Sequence, residues 1–310
     1  MKLLFVVDPL AGLKPCKDSS VAMMRAAAAR GHAVFAAEAR QLQVADGIAG
    51  AACSALDVRR DDDWFRIAHA GTRALAGFDA VLMRTDPPVD TNYLLATQLL
   101  GVAEHNGARV LNRPAALRDF NEKLAILNFP QFVAPTLVSA NAAEIGAFLS
   151  SHGDIIVKPL TEMGGGGIFR LTLADPNRNA IVETLTQRGQ RPIMAQRYLP
   201  AISEGDKRIL LIDGEVVPWA LARIPLPGET RGNLAAGGTA RAQPLSARDR
   251  EIAETIAPWA QANGIFLAGL DVIGDCLTEI NVTSPTGFQE IAAQTGHDVA
   301  AQFIAALERR

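Results

Sequence analysis

Residues 155–171 read IIVKPLTEMGGGGIFRL, and this stretch decides the fold of the chain. Two apolar segments, 155–157 and 168–173, flank four consecutive glycines, which predicts a β-hairpin with a glycine-rich tip. Glycine has no side chain, so backbone N–H groups in such a tip can approach a phosphate closely. Lys158 lies on the strand that leads into the tip. The alternative interpretation is a flexible tip that binds nothing.

A second lysine, Lys123, is predicted on a helix at the start of the same unit, near Asp119. Only 6 of the 30 basic residues are lysines, so an isolated lysine is informative here. Two lysines beside a glycine-rich loop could neutralise a polyphosphate, although each alone is more often a surface charge. The motifs GxGxxG and GxxxxGK[ST] do not occur in the sequence, which argues against a Rossmann dehydrogenase or a P-loop enzyme.

An oxygen-rich set follows near the C-terminus: Asp271, Glu279 and Asn281. Carboxylate and amide oxygens are ligands that Mg²⁺ accepts. Glu279 and Asn281 share one face of a strand because side chains alternate along it. A two-residue loop at 274–275 would turn Asp271 to the opposite face, so the metal hypothesis requires a three-residue loop or a β-bulge. The alternative is an acidic strand that faces solvent.

The segment 225–241 is a long Gly/Pro stretch flanked by arginines such as Arg223 and Arg241, with Arg231 inside it. Loops of this length are usually lids or disordered. A lid with inward arginines could close over anionic substrates and exclude water. The alternative is a mobile loop without a role.

The rest of the chain predicts an α/β (α+β) protein. Strands at 2–7, 33–37, 80–83 and 109–111 alternate with helices at 18–30 and 91–105, which is typical of a parallel sheet. The C-terminal part predicts a hairpin around Asp213-Gly214, a capping-box helix from Ser246 that Pro258 bends or stops, and one final helix over 288–308. The predicted units are 1–120, 121–200 and 201–310.

Composition excludes several classes of protein. The 310 residues are 49% hydrophobic and 20% charged, a globular balance, and the net charge of −3 argues against a protein whose whole surface binds nucleic acid. Three separated cysteines indicate neither a disulfide framework nor a structural zinc site and fit a reducing compartment. No stretch suggests a signal peptide or a membrane span, so we expect a cytoplasmic protein without a membrane partner.

Taken together, these residues resemble the ATP-grasp superfamily and, within it, the prokaryotic-type glutathione synthetase. The resemblance spans the whole chain in order. Its matching stretches are KDSS (17–20), MRTDPP (83–88), RDFNEKL (118–124), EGDKR (204–208), LARIP (221–225), GETRGNLAAGG (228–238), GLDVIGD (269–275) and LTEINVTSPTG (277–287). The last four are specific to this family. The implied fold is an ATP-grasp fold with an N-terminal parallel α/β domain.

The resemblance implies that ATP and Mg²⁺ (or Mn²⁺) drive the joining of γ-glutamylcysteine to glycine through an acyl phosphate, in a homo-oligomer, commonly a tetramer. The implied metal ligands are Asp271, Glu279 and Asn281. The implied nucleotide-binding residues are Lys123 and Lys158, the amides of Gly164, Gly165, Gly166 and Gly167, Gln196, Tyr198 and Leu199 beside adenine, and Asp206 near the ribose.

The same resemblance assigns residues to the peptide and the reacting groups. Arg208 and Arg223 would steady the acyl phosphate or the tetrahedral intermediate. The implied substrate-binding residues are Ser20, Arg84, Arg231, Gly232 and Asn233. One departure is Thr161-Glu162, where the family often has Asp-Gly. Another ATP-grasp ligase, such as a D-alanine–D-alanine or glutamate-adding enzyme, a non-catalytic ATP-binding protein and, more distantly, an NAD-linked oxidoreductase are the competing hypotheses.

Overall fold

The computed structural model describes residues 1–61, 63–226, 232 and 237–310. These residues form three β-sheets with helices packed against them. The helices are α1 (Ser19–Ala29), α2 (Thr91–His105), α3 (Pro114–Asp119), α4 (Ala142–His152), α5 (Arg178–Leu185), α6 (Ala247–Ala262), α7 (Phe288–Thr295) and α8 (Val299–Glu308). Of the described helices, none is long and apolar enough to cross a membrane.

The N-terminal sheet has a parallel half and an antiparallel half. Its strands are β1 (Lys2–Val6), β2 (Ala33–Ala37), β3 (Leu42–Ala45), β4 (Ile48–Val58), β5 (Phe65–Ala74), β6 (Ala80–Met83) and β7 (Val110–Leu111). β1 pairs in parallel with β2 and β6, and β6 pairs in parallel with β7, as the β-α-β pattern predicts. Sequence reasoning assigned no strands to residues 38–79, where β3, β4 and β5 add antiparallel pairs.

The central sheet is antiparallel in the order β10-β9-β11-β8. Its strands are β8 (Thr136–Ser139), β9 (Asp154–Pro159), β10 (Phe169–Thr172) and β11 (Ile193–Arg197). The hairpin predicted around the four glycines is confirmed as the β9–β10 pair, with Val157 opposite Phe169. One face of this sheet packs on α4 and α5 through buried apolar residues such as Ile145 and Leu149.

The C-terminal sheet is antiparallel in the order β14-β13-β12-β15-β16. Its strands are β12 (Asp206–Ile212), β13 (Glu215–Ile224), β14 (Thr239–Pro244), β15 (Leu267–Ile273) and β16 (Cys276–Asn281). The predicted turn Asp213-Gly214 is confirmed, since both residues have positive φ, 52° and 77°. The capping box of α6 is also confirmed, with Ser246 and Asp249 bonding each other's backbone N–H groups.

Four local predictions were wrong. Of the two outcomes predicted at Pro258, the stop is wrong and the bend stays a prediction: α6 continues to Ala262, because Ile252 and Ile256 bury its apolar face fully. The final helix is two helices, α7 and α8, separated at Gly296, which has φ 76° and ends α7. Residues 239–241 belong to β14 and not to a loop.

Lys123 is the fourth correction, because it does not lie on a helix. α3 ends at Asp119, and Lys123 lies in a turn before a 3₁₀ helix at Ala125–Asn128. The side chain of Asn121 accepts hydrogen bonds from the backbone N–H groups of Lys123 and Leu124 at 3.0 and 3.1 Å. Such side-chain bonds to the backbone favour a turn over a continuing helix.

Candidate active site

A cavity of about 320 Å³ lies where the central sheet, the C-terminal sheet and the end of β6 meet. Its volume is in the range of small-molecule sites. Most residues predicted to bind nucleotide or metal line it. These are Lys123, Lys158, Gly164, Gly165, Gly166, Gln196, Tyr198, Leu199, Asp206, Asp271, Glu279 and Asn281. Arg208, Arg223 and Gly232 also line it, so residues far apart in sequence converge on one cavity.

Both predicted lysines point at the same carboxylate. The Nζ atoms of Lys123 and Lys158 lie 3.7 and 3.9 Å from Oε1 of Glu279. Lys123 is 3% exposed and also donates to the carboxylate of Glu122 and, at 2.8 Å, to the carbonyl of Glu162. Lys158 is 5% exposed, and burial lowers the pKa of its ammonium group. Two buried ammonium groups in one cavity favour an anionic ligand.

The glycine-rich turn covers one side of the cavity. Gly164, Gly165 and Gly167 have positive φ, between 64° and 85°. The N–H of Gly166 donates to the carbonyl of Met163, and this amide is therefore hydrogen-bonded inside the turn. Gly167 does not line the cavity: a Cβ there would lie 2.8 Å from Cγ of Pro159, and the residue packs the turn onto β9.

The end of β11 and the segment after it supply an apolar slot. Gln196 is 6% exposed, and its amide nitrogen donates to Oγ1 of Thr136 at 3.0 Å. The ring of Tyr198 carries the guanidinium of Arg170 at 3.8 Å from its centroid. Sequence reasoning missed four aliphatic residues that line the cavity, because single aliphatic residues in strands and short helices look like ordinary core in a sequence. They are Ile156, Ile202, Leu221 and Ile273.

A β-bulge brings the three oxygen-bearing side chains to one face. Val272 pairs with Leu277, but Asp271 pairs with Glu279, so Thr278 is the extra residue in β16. The loop at 274–275 has two residues, and the bulge meets the requirement for a shared face. The Oγ1 of Thr278 donates to the carbonyl of Asp271 at 3.0 Å. The carbonyl of Thr278 lies 3.4 Å from Nζ of Lys158.

Two arginines enclose Asp271, which is 2% exposed. Nε and Nη2 of Arg208 donate to its two carboxylate oxygens at 2.5 and 2.9 Å. Nη2 of Arg223 lies 2.8 Å from Oδ2 and also pairs with Asp206. Burial alone would raise the pKa of Asp271, but the two guanidinium groups hold it well below its usual range. Asp271 is therefore a carboxylate that holds both arginines in place.

Asp206 is the less compensated carboxylate of this network. Burial raises its pKa to about 7, and the negative charges of Asp271 and Glu279 add to the effect, against the opposing charge of Arg223. Its Oδ1 atom is buried and finds no hydrogen-bond partner among the residues that the structure describes. A buried acceptor without a donor is costly, so this atom favours a ligand hydroxyl as its partner.

The oxygen atoms of the predicted metal ligands are of the type that a hard divalent cation binds. The Nδ2 atom of Asn281 lies 3.2 Å from Oδ2 of Asp271, so the amide group adjoins the carboxylate. Glu279 stands between this pair and the two lysines. In the described ranges no three His, Cys, Asp or Glu side chains gather as a metal cluster. The predicted trio contains only two carboxylates, and its third oxygen comes from an amide.

Of the residues predicted to bind the peptide, Ser20 and Arg84 do not line the cavity themselves, but Arg84 contacts its wall. Arg84 and Ser20 are 6% and 4% exposed, and Nε of Arg84 donates to Oγ of Ser20 at 3.1 Å. Nη2 of Arg84 donates to the carbonyl of Pro285, which lines the cavity. Arg231 and Asn233, and most of the predicted lid 225–241, lie outside the described residues. Sequence reasoning did not single out Asp86, Glu122 or Glu290, which also line the cavity.

Solved structures share this architecture. The crystal structure of the D-cycloserine synthetase DcsG superposes with a TM-score of 0.68 at 17% identity and covers 99% of each chain. A RimK domain ATP-grasp protein from Sphaerobacter thermophilus gives 0.64 at 18% identity, with 99% of each chain covered. These likenesses establish the fold. An ATP-grasp domain model that matches residues 122–296 defines the class as an ATP-grasp protein.

Closer relatives give the family. The models of the prokaryotic glutathione synthetase N-terminal domain and ATP-grasp domain match residues 1–118 and 122–296. The glutathione synthetase of Neisseria meningitidis serogroup B is 60% identical over 98% of this chain and 97% of its own length. That of Ralstonia nicotianae is 54% identical over 100% and 96%. The chain therefore belongs to the prokaryotic glutathione synthetase family.

Proposed function

We propose that this protein is an ATP-dependent carboxylate–amine ligase that joins glycine to the cysteinyl carboxylate of γ-glutamylcysteine. The products are glutathione, ADP and phosphate. The convergence of Lys123 and Lys158 on Glu279, beside the bulge that aligns Asp271 and Asn281 with it, carries the proposal. The names of the relatives supply the product, since each is a glutathione synthetase.

The nucleotide lies with its base in the apolar slot and its phosphates beside the lysines. Gln196 and the segment at Tyr198–Leu199 border the adenine, and Oδ1 of Asp206, which has no partner among the described residues, accepts a ribose hydroxyl. When the nucleotide binds, Lys123 and Lys158 pair with the α- and β-phosphates and pair less closely with Glu279. This exchange leaves Glu279 able to face a cation together with Asp271 and Asn281. Mg²⁺ bound there would neutralise phosphate charge, and Mn²⁺ would suit the same donors.

The protein aligns reactants and stabilises charge, because phosphoryl transfer needs little covalent help from a side chain. The cysteinyl carboxylate attacks the γ-phosphorus, and ADP leaves with the bridging oxygen. The glycine amine then attacks the acyl carbon, phosphate leaves, and the amine loses a proton. Arg208 and Arg223 line the cavity in fixed positions and donate to the negative oxygens that develop in both steps.

Phosphate release with ATP, Mg²⁺, γ-glutamylcysteine and glycine, omitting each in turn, tests the proposal. We expect release only with all four present, and glutathione equal to phosphate in the product mixture. Release that depends on D-alanine or glutamate, and not on γ-glutamylcysteine, would assign the protein to another ATP-grasp ligase reaction. ATP binding without substrate-dependent release would indicate a non-catalytic protein.

Two finer points stay predictions of the family resemblance. The preference between Mg²⁺ and Mn²⁺ is measured by titrating each metal against the rate. The tetramer is tested by mass photometry at nanomolar to micromolar protein.

A further inference from the structure

The face of the central sheet that forms part of the cavity continues beyond the cavity wall. Ile156 and Lys158 line the cavity from β9, and side chains two residues apart in a strand share a face, so Asp154 belongs to the same face. Arg170 lies opposite Ile156 in the β9–β10 pair and shares that face as well. The intervening residues of β9 pack on α4 and α5 instead. Neither Asp154 nor Arg170 lines the cavity, so both lie beside it.

Asp154 and Arg170 form a closed cluster with Tyr198, and these three residues are called the clamp below. The guanidinium of Arg170 lies 3.8 Å from the centroid of the Tyr198 ring. Nε of Arg170 donates to both carboxylate oxygens of Asp154 at 3.0 and 3.2 Å, and Nη2 donates to Oδ2 at 2.6 Å. The backbone carbonyl of Asp154 accepts the N–H of Tyr198 at 3.0 Å. Asp154 therefore holds the cation with its side chain and the tyrosine with its backbone.

The clamp connects two parts of the cavity wall. β9 lies between β10 and β11 in the sheet, so Arg170 reaches across β9 from the hairpin of the glycine-rich turn to the segment after β11. Arg170 and Asp154 are partly exposed, and an exposed ion pair by itself contributes little. Here the guanidinium binds the carboxylate with two nitrogens and also contacts an aromatic ring, which restricts the position of both side chains.

We propose that Arg170 is a positioning residue that holds the ring of Tyr198 against the base of the bound nucleotide. This inference rests on the proposed function and deepens it. Tyr198 lines the cavity, and Arg170 fixes the ring from outside the cavity. A side chain that is already fixed loses less conformational entropy when the ligand binds, so the contact increases affinity. The effect concerns the base and not the phosphates, which lie beside Lys123 and Lys158.

Two ligands separate the base from the phosphates. Titration calorimetry of the full chain with Mg²⁺ compares ATP with inorganic triphosphate, which carries no base. In Arg170→Gln, the Kd of ATP should rise about 3- to 10-fold, while the Kd of triphosphate should stay within about 2-fold. Arg170→Lys keeps a cation but not the two-nitrogen contact with Asp154, so its loss should be smaller. Equal losses for both ligands, or an unchanged Kd of ATP in Arg170→Gln, would overturn the proposal.

A double variant tests whether Arg170 acts through Tyr198. Tyr198→Leu removes the ring, and adding Arg170→Gln to it should change the Kd of ATP by less than about 2-fold, because no ring remains to be held. Arg178→Gln is the matched control, since Arg178 does not line the cavity and donates to the carbonyl of Leu173. This control should bind both ligands like the parent protein. A full loss from Arg170→Gln in the Tyr198→Leu background would refute the route through the ring.

A second variant and steady-state kinetics separate this inference from the proposed function. Asp154→Asn keeps the backbone bond to Tyr198 but removes the charge that holds Arg170, so it should show a weaker loss for ATP alone. In the clamp variants the KM of ATP should rise while kcat stays within about 2-fold. Loss of affinity for ATP but not for triphosphate supports the clamp even if no glutathione forms. Glutathione formation with an unchanged KM of ATP leaves the function intact and refutes the clamp.

Discussion

Replacing Gly269 by alanine should disable the candidate active site although no charged residue is replaced. Gly269 lies on β15, opposite Asn281 and two residues before Asp271. A Cβ at this position would lie 2.8 Å from Cδ of Arg208 and 2.8 Å from Cβ of Pro285. Both distances are about 0.6 Å inside the 3.4 Å at which ordinary contact begins. The methyl group must therefore move the stem of Arg208, the proline or the strand.

The expected magnitude follows from what holds Arg208. Its guanidinium is fixed to Asp271 by two hydrogen bonds, and its side chain is almost fully buried. Overpacking at such a site costs about 1–3 kcal/mol of folding free energy. A shift of about 1 Å in a charge-stabilising group lowers turnover by roughly 10²-fold. We expect both effects in Gly269→Ala, with the affinity for ATP close to that of the parent protein.

The assay is coupled phosphate release together with guanidinium denaturation. Gly146→Ala is the control, because Gly146 lies in α4 with nothing within 4 Å of an added Cβ. That change should stabilise the protein by up to about 1 kcal/mol and leave turnover unchanged. In an Arg208→Ala background, itself slower by roughly 10²–10³, adding Gly269→Ala should cost less than about 3-fold. Turnover of the single variant within about 3-fold of the parent would refute the reasoning.

The remaining predictions concern the lysines, Asp206 and the glycine-rich turn. Lys158→Met should raise the Kd of ATP by about 10- to 100-fold, since it removes a buried cation from the phosphate site, and an unchanged Kd in a fluorescent-nucleotide titration would exclude that role. Asp206→Asn should stabilise the ligand-free protein more at pH 8 than at pH 5. The folded pKa of Asp206, about 7, is raised above its ordinary value of 3.8, so its contribution to stability is present below 3.8 and is lost as pH rises through 7; equal Tm differences at the two pH values would contradict this. Gly167→Ala should destabilise the protein by about 1–3 kcal/mol through its contact with Pro159 and its φ of 68°. Gly164→Ala, with φ 64° but open space, should cost only about 1 kcal/mol, and the reverse order in denaturant melts would disprove the packing argument.

Local sequence patterns were sufficient for much of the fold. Apolar runs bounded by turn residues located β1, β2 and β6, and Asp213-Gly214 located the β12–β13 hairpin. Residues 38–79 were missed because β5 is exposed along almost its whole length and shows no apolar alternation. The helix predicted around Lys123 failed because one side chain, that of Asn121, redirected the backbone.

The sequence by itself determined which chemical groups the site contains: two isolated lysines, a glycine-rich turn and a set of oxygen donors. Resemblance to a family added their roles, and the family is confirmed. Such groups are rare in apolar strands, so each of them can be recognised separately in the sequence. Only the tertiary structure decided how they meet, because the face that Glu279 presents depends on a single bulged residue, Thr278, in the pairing of two strands. Asp86 and Glu290 likewise line one cavity only because the fold closes the 203 residues between them.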